Sequence, residues 1–120
     1  MLKTYENLYL DGYPVVGTVE ITDYKDGAWG DIRVAYVPNT ELLDHVSFVQ
    51  YVSELLDQNG LVEAFCAQIF EELEEALRPI ALRVVVFWAK DPGSIRAVKE
   101  FNWGMDADTL AVLREEMAQA

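Results

Sequence analysis

A single cysteine, Cys66, and a single histidine, His45, occur among the 120 residues. One cysteine excludes an intramolecular disulfide and any multi-cysteine zinc site. One histidine leaves the usual transition-metal ligand sets incomplete within a chain. Positive charge is scarce as well, with 9 Lys and Arg against 21 Asp and Glu, a formal net charge of −12. Such a surface repels phosphates, which argues against nucleic acid as a partner and against an anionic membrane. It favours solubility, and it equally suits an acidic inhibitor of a basic partner. No apolar run approaches the ~20 residues of a membrane span. The start, Met1-Leu2-Lys3-Thr4-Tyr5-Glu6, has no signal-peptide core behind a basic stretch. Cytoplasmic residence is the expectation.

What is present is ordinary for a folded domain: 52% hydrophobic and 12% aromatic residues, spread along the chain. Without repeats, low-complexity tracts or linkers, residues 1–120 read as one domain. Residues 4–10 and 13–22 read as strands around the turn pair Asp11-Gly12, a hairpin signal. A polar loop from Asp23 to Gly30 precedes the alternating Asp31-Ile32-Arg33-Val34-Ala35-Tyr36-Val37, a half-buried strand.

Asn39 or Thr40 offers a cap for a helix over Glu41 to Asp57, with Leu42, Leu43, Val46, Val49, Val52, Leu55 and Leu56 as its apolar face. Asn59-Gly60 ends it. A second helix runs from about Leu61 to Leu77, burying Val62, Phe65, Cys66, Ile69, Phe70, Leu73 and Leu77. The short connection makes the two helices antiparallel neighbours. Ala81 to Ala89 is the strongest strand signal, Lys90 to Ser94 a turn, and Ile95 to Phe101 a returning strand. Asp106 to Ala120 reads as a closing helix. The fold class is α+β: an antiparallel four-stranded sheet with two antiparallel helices on one face, in the order ββααββ, plus a C-terminal helix.

Few residues offer chemistry. Cys66 with His45 as base could be a nucleophile, but its mid-helix place on the apolar stripe is that of a small hydrophobe. Asp23, Asp26 and Asp31 near Gly27 and Gly30 do not have the spacing of a calcium loop. Gly27-Ala28-Trp29-Gly30 lacks the Lys-Ser/Thr and following helix of a phosphate loop. Glu71, Glu72, Glu74 and Glu75 read as a solvated helix face. Glu63 lies in the first turn of the second helix, where a carboxylate complements the helix dipole. Capping and a binding role both remain open for it at this point.

Residues 27 to 95 resemble the tunnelling fold, and most closely the QueF-like, NADPH-dependent 7-cyano-7-deazaguanine reductases of queuosine biosynthesis. Leu42-Leu43-Asp44-His45-Val46-Ser47-Phe48-Val49-Gln50-Tyr51-Val52 is similar to that family's Ile-Glu-Ser-Lys-Ser-Phe-Lys-Leu-Tyr-Leu segment. Val62-Glu63, Ile69-Phe70-Glu71-Glu72-Leu73 and Arg78-Pro79 resemble its His-Glu helix ending near proline. The resemblance implies that Glu63 holds the edge of a guanine-like ring, to which a carboxylate can accept two N–H bonds. It implies that Asp44 and His45, standing where the family has Glu-Ser, line the same pocket.

The remaining functional positions differ. The family's nucleophilic cysteine belongs near Ile21 to Gly27, and no cysteine is there. Ser53-Glu54-Leu55 and Asp91-Pro92 replace the family's Ser-Phe-Arg and Arg-Gly, and Val46 replaces its lysine. Those changes remove cations and would repel NADPH phosphates. Nitrile reduction needs a thiolate and a hydride donor. The resemblance therefore implies a divergent relative that binds a purine- or pterin-like heterocycle at a subunit boundary. It would do so without NADPH or metal, in a homo-oligomer joined through sheet edges. The alternatives are a non-catalytic structural or regulatory subunit, an acidic inhibitor, and an active reductase with its cysteine elsewhere in the register.

Overall fold

The computed structural model describes residues 2–8, 15–24, 27–56 and 62–102. Eight elements follow one another: β1 (Thr4–Glu6), β2 (Val15–Tyr24), β3 (Ala28–Val37), β4 (Glu41–Leu43), α1 (His45–Leu56), α2 (Val62–Leu77), β5 (Ala81–Lys90) and β6 (Gly93–Phe101). Strands β2, β3, β5 and β6 form one antiparallel sheet in that order, so β2 and β6 are its edges among the described residues. This is the ββααββ core expected from the periodicity. The expected helix over Asp106 to Ala120 lies outside the described residues.

Alternation sorts the strands into two faces. Val19, Ile21, Ile32, Val34, Tyr36, Leu82, Val84 and Val86 face the helices and build the main core with Phe48, Val52, Leu55, Ile69 and Leu73. Each large apolar side chain buried there is worth about 1.5–3 kcal/mol. Ala35, Val37, Ala81 and Val85 form a smaller cluster on the other face. Farther along that face, Arg33 pairs with Asp31 at 3.4 Å and Arg83 with Glu100 at 3.3 Å. Trp29 tilts against Phe87 with ring centres 5.4 Å apart, and the Arg96 guanidinium lies 5.2 Å from the Phe87 ring centre.

The second helix buries Phe65, Cys66, Ile69, Phe70, Leu73 and Leu77 as expected, while Val62 at its start is only partly buried. The first helix differs in start and phase. Glu41 to Leu43 is strand β4 rather than helix, because it pairs with β1 in the register Thr4↔Leu43, Tyr5↔Leu42, Glu6↔Glu41. Asp44, rather than Asn39 or Thr40, caps α1: its carbonyl accepts from the Phe48 amide at 3.1 Å and the Ser47 hydroxyl at 2.9 Å. The buried face is Ser47, Phe48, Tyr51, Val52 and Leu55, whereas Val46 and Val49 are exposed. Leu42 and Leu43 fit a helical period but belong to β4, so the buried face of α1 is rotated from the expected stripe.

The N-terminal hairpin is also corrected. Strand β1 pairs with β4, and the partner of β2 is β3, in the register Val15↔Tyr36 to Ile21↔Gly30. A three-residue β1 offers little to a long strand, whereas β3 supplies a matched alternating ladder. Asp11-Gly12 lies outside the described residues. The polar loop is shorter than its composition suggests, since β2 continues to Tyr24 and β3 begins at Ala28. Gly27 takes a left-handed φ of 78° just before β3, a conformation open to glycine at little cost.

Candidate functional site

A cleft of about 380 Å³ opens between the edge strand β2 and the start of α1. Its origin is local. Gly17 interrupts the β-branched run Val15-Val16-Gly17-Thr18-Val19 on the helix-facing side of β2, so no side chain fills the space opposite Val34. A glycine inside a strand marks a place where something else comes close to the backbone. Here it is His45, whose Nδ1 would lie 3.9 Å from a Cβ placed on Gly17. Val15, Val34, Leu43 and Phe48 give the cleft apolar walls, and Tyr36 and His45 are its polar side chains.

Tyr36 is fixed in this wall. Its ring is buried, and its hydroxyl oxygen accepts the Leu43 amide at 2.9 Å. Burial pushes the phenol above its ordinary range, against the smaller opposing effect of the Leu43 bond. Asp44 and His45 are placed by the turn from β4 into α1. The Asp44 amide donates to the Lys3 carbonyl at 2.9 Å, and the Lys3 amide donates to Ser47 Oγ at 2.9 Å. The Asp44 carboxylate also raises the exposed Tyr5 phenol, by its charge first and by a hydrogen bond second.

Glu63 stands apart from these two. It is exposed in the first turn of α2. That helix lies over β5 and β6: Cys66, three residues on, contacts the Val84 and Ala97 carbonyls at 3.7 Å, and Glu71 reaches Lys99 at 4.0 Å. His45 lies against Gly17 on β2, the other edge strand of the sheet. Of the three residues, only His45 lines the cleft; the Asp44 carboxylate is engaged with Tyr5, and Glu63 is carried by a helix that packs on β5 and β6.

Residues 28–103, more than half of the chain, match the family described as QueF-like protein. The chain belongs to that family. The match supports a relation to the reductases of queuosine biosynthesis that the sequence resembles. No curated protein matches the chain. The matched span contains Asp44, His45, Glu63 and Tyr36, and it leaves out β2 with Gly17.

The other sequence candidates are placed plainly. Cys66 is buried under α2, its thiol donating to two strand carbonyls, and burial raises its pKa above the ordinary thiol range, with Lys99 opposing. That is the setting of an inert thiol rather than a nucleophile. Asp31 is engaged with Arg33, and Asp26 lies outside the described residues. Among the described residues, no group of three or more His, Cys, Asp or Glu is placed to hold a metal ion. No described helix is long and apolar enough to cross a membrane. Gly17 and Tyr36 were missed from sequence. The available signal was a glycine inside an otherwise β-branched strand, which composition alone does not distinguish from a weak position.

Proposed function

We propose that this QueF-like protein binds a purine- or pterin-like heterocycle in the cleft beside β2, with Asp44 and His45 at its rim. The cleft carries the reading: about 380 Å³, with mostly apolar walls and a few polar groups. Those are the proportions of small-molecule sites, which run from ~300 Å³ upward. Glu63 joins the site from a second copy. In one chain it lies toward the β6 side, so seating the β6 edge of one copy beside the β2 edge of the next brings Glu63 toward His45. Strand β6 is a nine-residue edge, largely exposed, and such an edge is a template for pairing. A homo-oligomer closed through these edges removes them.

The reading includes no NADPH, because Leu55 and Asp91 stand where the family carries arginines, with Glu54 adding a further acid. It includes no nitrile reduction, since the single cysteine is buried. The second reading, a non-catalytic structural or regulatory subunit or an acidic inhibitor, is favoured by one observation. Glu71, Glu72, Glu74 and Glu75 are all exposed along α2.

Calorimetric titration with 7-cyano-7-deazaguanine, guanine and neopterin, on wild type and Glu63→Gln, separates the two. Binding to wild type that weakens at least tenfold in the variant supports the heterocycle site, as loss of a charge-assisted contact costs ~1.5–3 kcal/mol. Equal affinity in both removes Glu63 from the site. No heat with any ligand favours the structural or inhibitory reading. Light scattering at micromolar concentration tests the assembly, which a monomer would refute.

A further inference from the structure

We propose that the N-terminal strand β1 is a detachable strap that holds His45 across the opening of the β2 cleft, with Ser47 as the positioning residue through which it acts. The inference rests on the heterocycle-binding reading for the use of the cleft, and deepens it by stating what controls access.

The ladder between β1 and β4 runs one residue past each end of the paired strands. The Asp44 amide donates to the Lys3 carbonyl at 2.9 Å, and the Asn7 amide to the Thr40 carbonyl at 2.9 Å. At the Lys3 end the return bond passes through a side chain. The Lys3 amide donates to Ser47 Oγ, and that hydroxyl donates to the Asp44 carbonyl, each at 2.9 Å. Ser47 is 3% exposed, so its hydroxyl is a buried relay between the strap and the first turn of α1. His45 lies between these two anchored residues. It is exposed and lines the cleft, with Nδ1 3.9 Å from where a Gly17 Cβ would stand. The preceding amide, of Leu43, is held separately by the Tyr36 hydroxyl. Release of β1 therefore frees the chain from Asp44 onward and leaves Leu43 in place as the hinge.

The strap is weakly held. Leu2 packs partly against the core, but Lys3, Tyr5 and Glu6 are exposed. A segment joined by backbone bonds with little apolar burial opens well before the whole domain does. In an antiparallel ladder, bonded pairs alternate with narrow pairs whose side chains stand closest. Because Lys3–Asp44 and Asn7–Thr40 are bonded pairs, Glu6↔Glu41 is a narrow one. It sets two carboxylates face to face, and like charges directly opposite weaken the pairing.

The test is amide hydrogen exchange on the ligand-free protein, read by NMR with the contact between the His45 ring and the Gly17 α protons. The single histidine makes that ring signal unambiguous. In wild type the ring contact should be present, and the Asn7 and Asp44 amides should exchange at least about tenfold faster than the β3–β5 ladder. Exchange as slow as that ladder means that β1 does not detach, and overturns the inference. Ser47→Ala should speed the Asp44 amide at least about tenfold further and abolish the ring contact, with the β3–β5 ladder unchanged. A ring contact that survives overturns the positioning role, and so does equal acceleration of the β3–β5 amides, the mark of a merely structural residue. Glu6→Gln decides the matter even if Ser47→Ala does not fold. Relief of the repulsion should slow the Asn7 and Asp44 amides by roughly 1.5- to 5-fold, and no slowing overturns the inference. Since no ligand enters these measurements, a failure of the strap leaves the heterocycle reading standing. Absence of guanine binding to wild type refutes that reading separately.

Discussion

The Phe87 carbonyl of β5 occupies the space where a side chain on Gly30 of β3 would begin. A Cβ built at Gly30 collides with that oxygen, and it would also lie 3.0 Å from the Phe87 carbonyl carbon and 3.2 Å from the Trp88 Cα. The obstacle is backbone in the middle of the sheet, between two ten-residue strands, so it cannot swing aside as a flexible side chain would. Gly30→Ala should therefore destabilise the domain by about 2–3 kcal/mol, the upper part of the overpacking range. Denaturant unfolding at fixed protein concentration checks this. A change under ~0.5 kcal/mol would show that the strands can separate locally.

The two buried tyrosines should respond in opposite directions to the same substitution. The Tyr36 oxygen holds the Leu43 amide, so Tyr36→Phe strands a backbone donor and should cost about 1–3 kcal/mol. The Tyr51 hydroxyl is buried with no hydrogen-bond partner among the described residues. Replacing it with phenylalanine removes an unsatisfied group while keeping the ring, which stacks near Phe48 at 6.4 Å. Tyr51→Phe should be neutral or stabilising by about 1 kcal/mol. Thermal melts of the two variants beside wild type decide it, and a loss of stability in Tyr51→Phe would mean the hydroxyl has a partner in solution.

Alkaline pH probes the same pair. Burial raises both phenols above their ordinary value of 10.0, and at Tyr51 the charge of Glu72 adds to it. Between the unfolded and folded values the folded chain holds more protons than the unfolded one, so stability falls as pH rises. It is fully present below pH 10 and declines above that, until the folded-state phenols ionise. Circular dichroism through an alkaline titration should show unfolding beginning above about pH 10, displaced to higher pH in Tyr51→Phe. An unchanged midpoint in that variant would remove Tyr51 as a contributor.

Much of this architecture was legible because burial imposes a period. The α2 stripe from Phe65 to Leu77 and the strand from Ala81 need only local alternation to be read. The start of α1 was not legible, because Leu42 and Leu43 fit a helical period as well as the short strand they form. What decides between them is β1, some forty residues earlier, whose pairing no local window contains. The site divides in the same way. Asp44, His45 and Glu63 were reached through residue chemistry and resemblance, whereas the cleft depends on the absence of a side chain at Gly17 against a helix that begins at residue 45. A cavity belongs to no residue, and so no residue type announces it.

The single thiol gives a last check on the packing of α2 and on the division between scaffold and chemistry. Cys66 Sγ donates to the Val84 and Ala97 carbonyls at 3.7 Å each, bridging the helix to two adjacent strands. Its side chain is 2% exposed, and burial holds the thiol protonated above its usual range. Because the thiolate is the reactive form, the native protein should resist an aromatic disulfide reagent at pH 8 and react only as fast as opening of the structure exposes the sulfur. Addition of denaturant beyond the unfolding transition should release one equivalent per chain promptly. Fast stoichiometric reaction under native conditions would instead mean that α2 lifts readily from β5 and β6. A thiol capable of nucleophilic chemistry would then have to be readmitted to the account of this site.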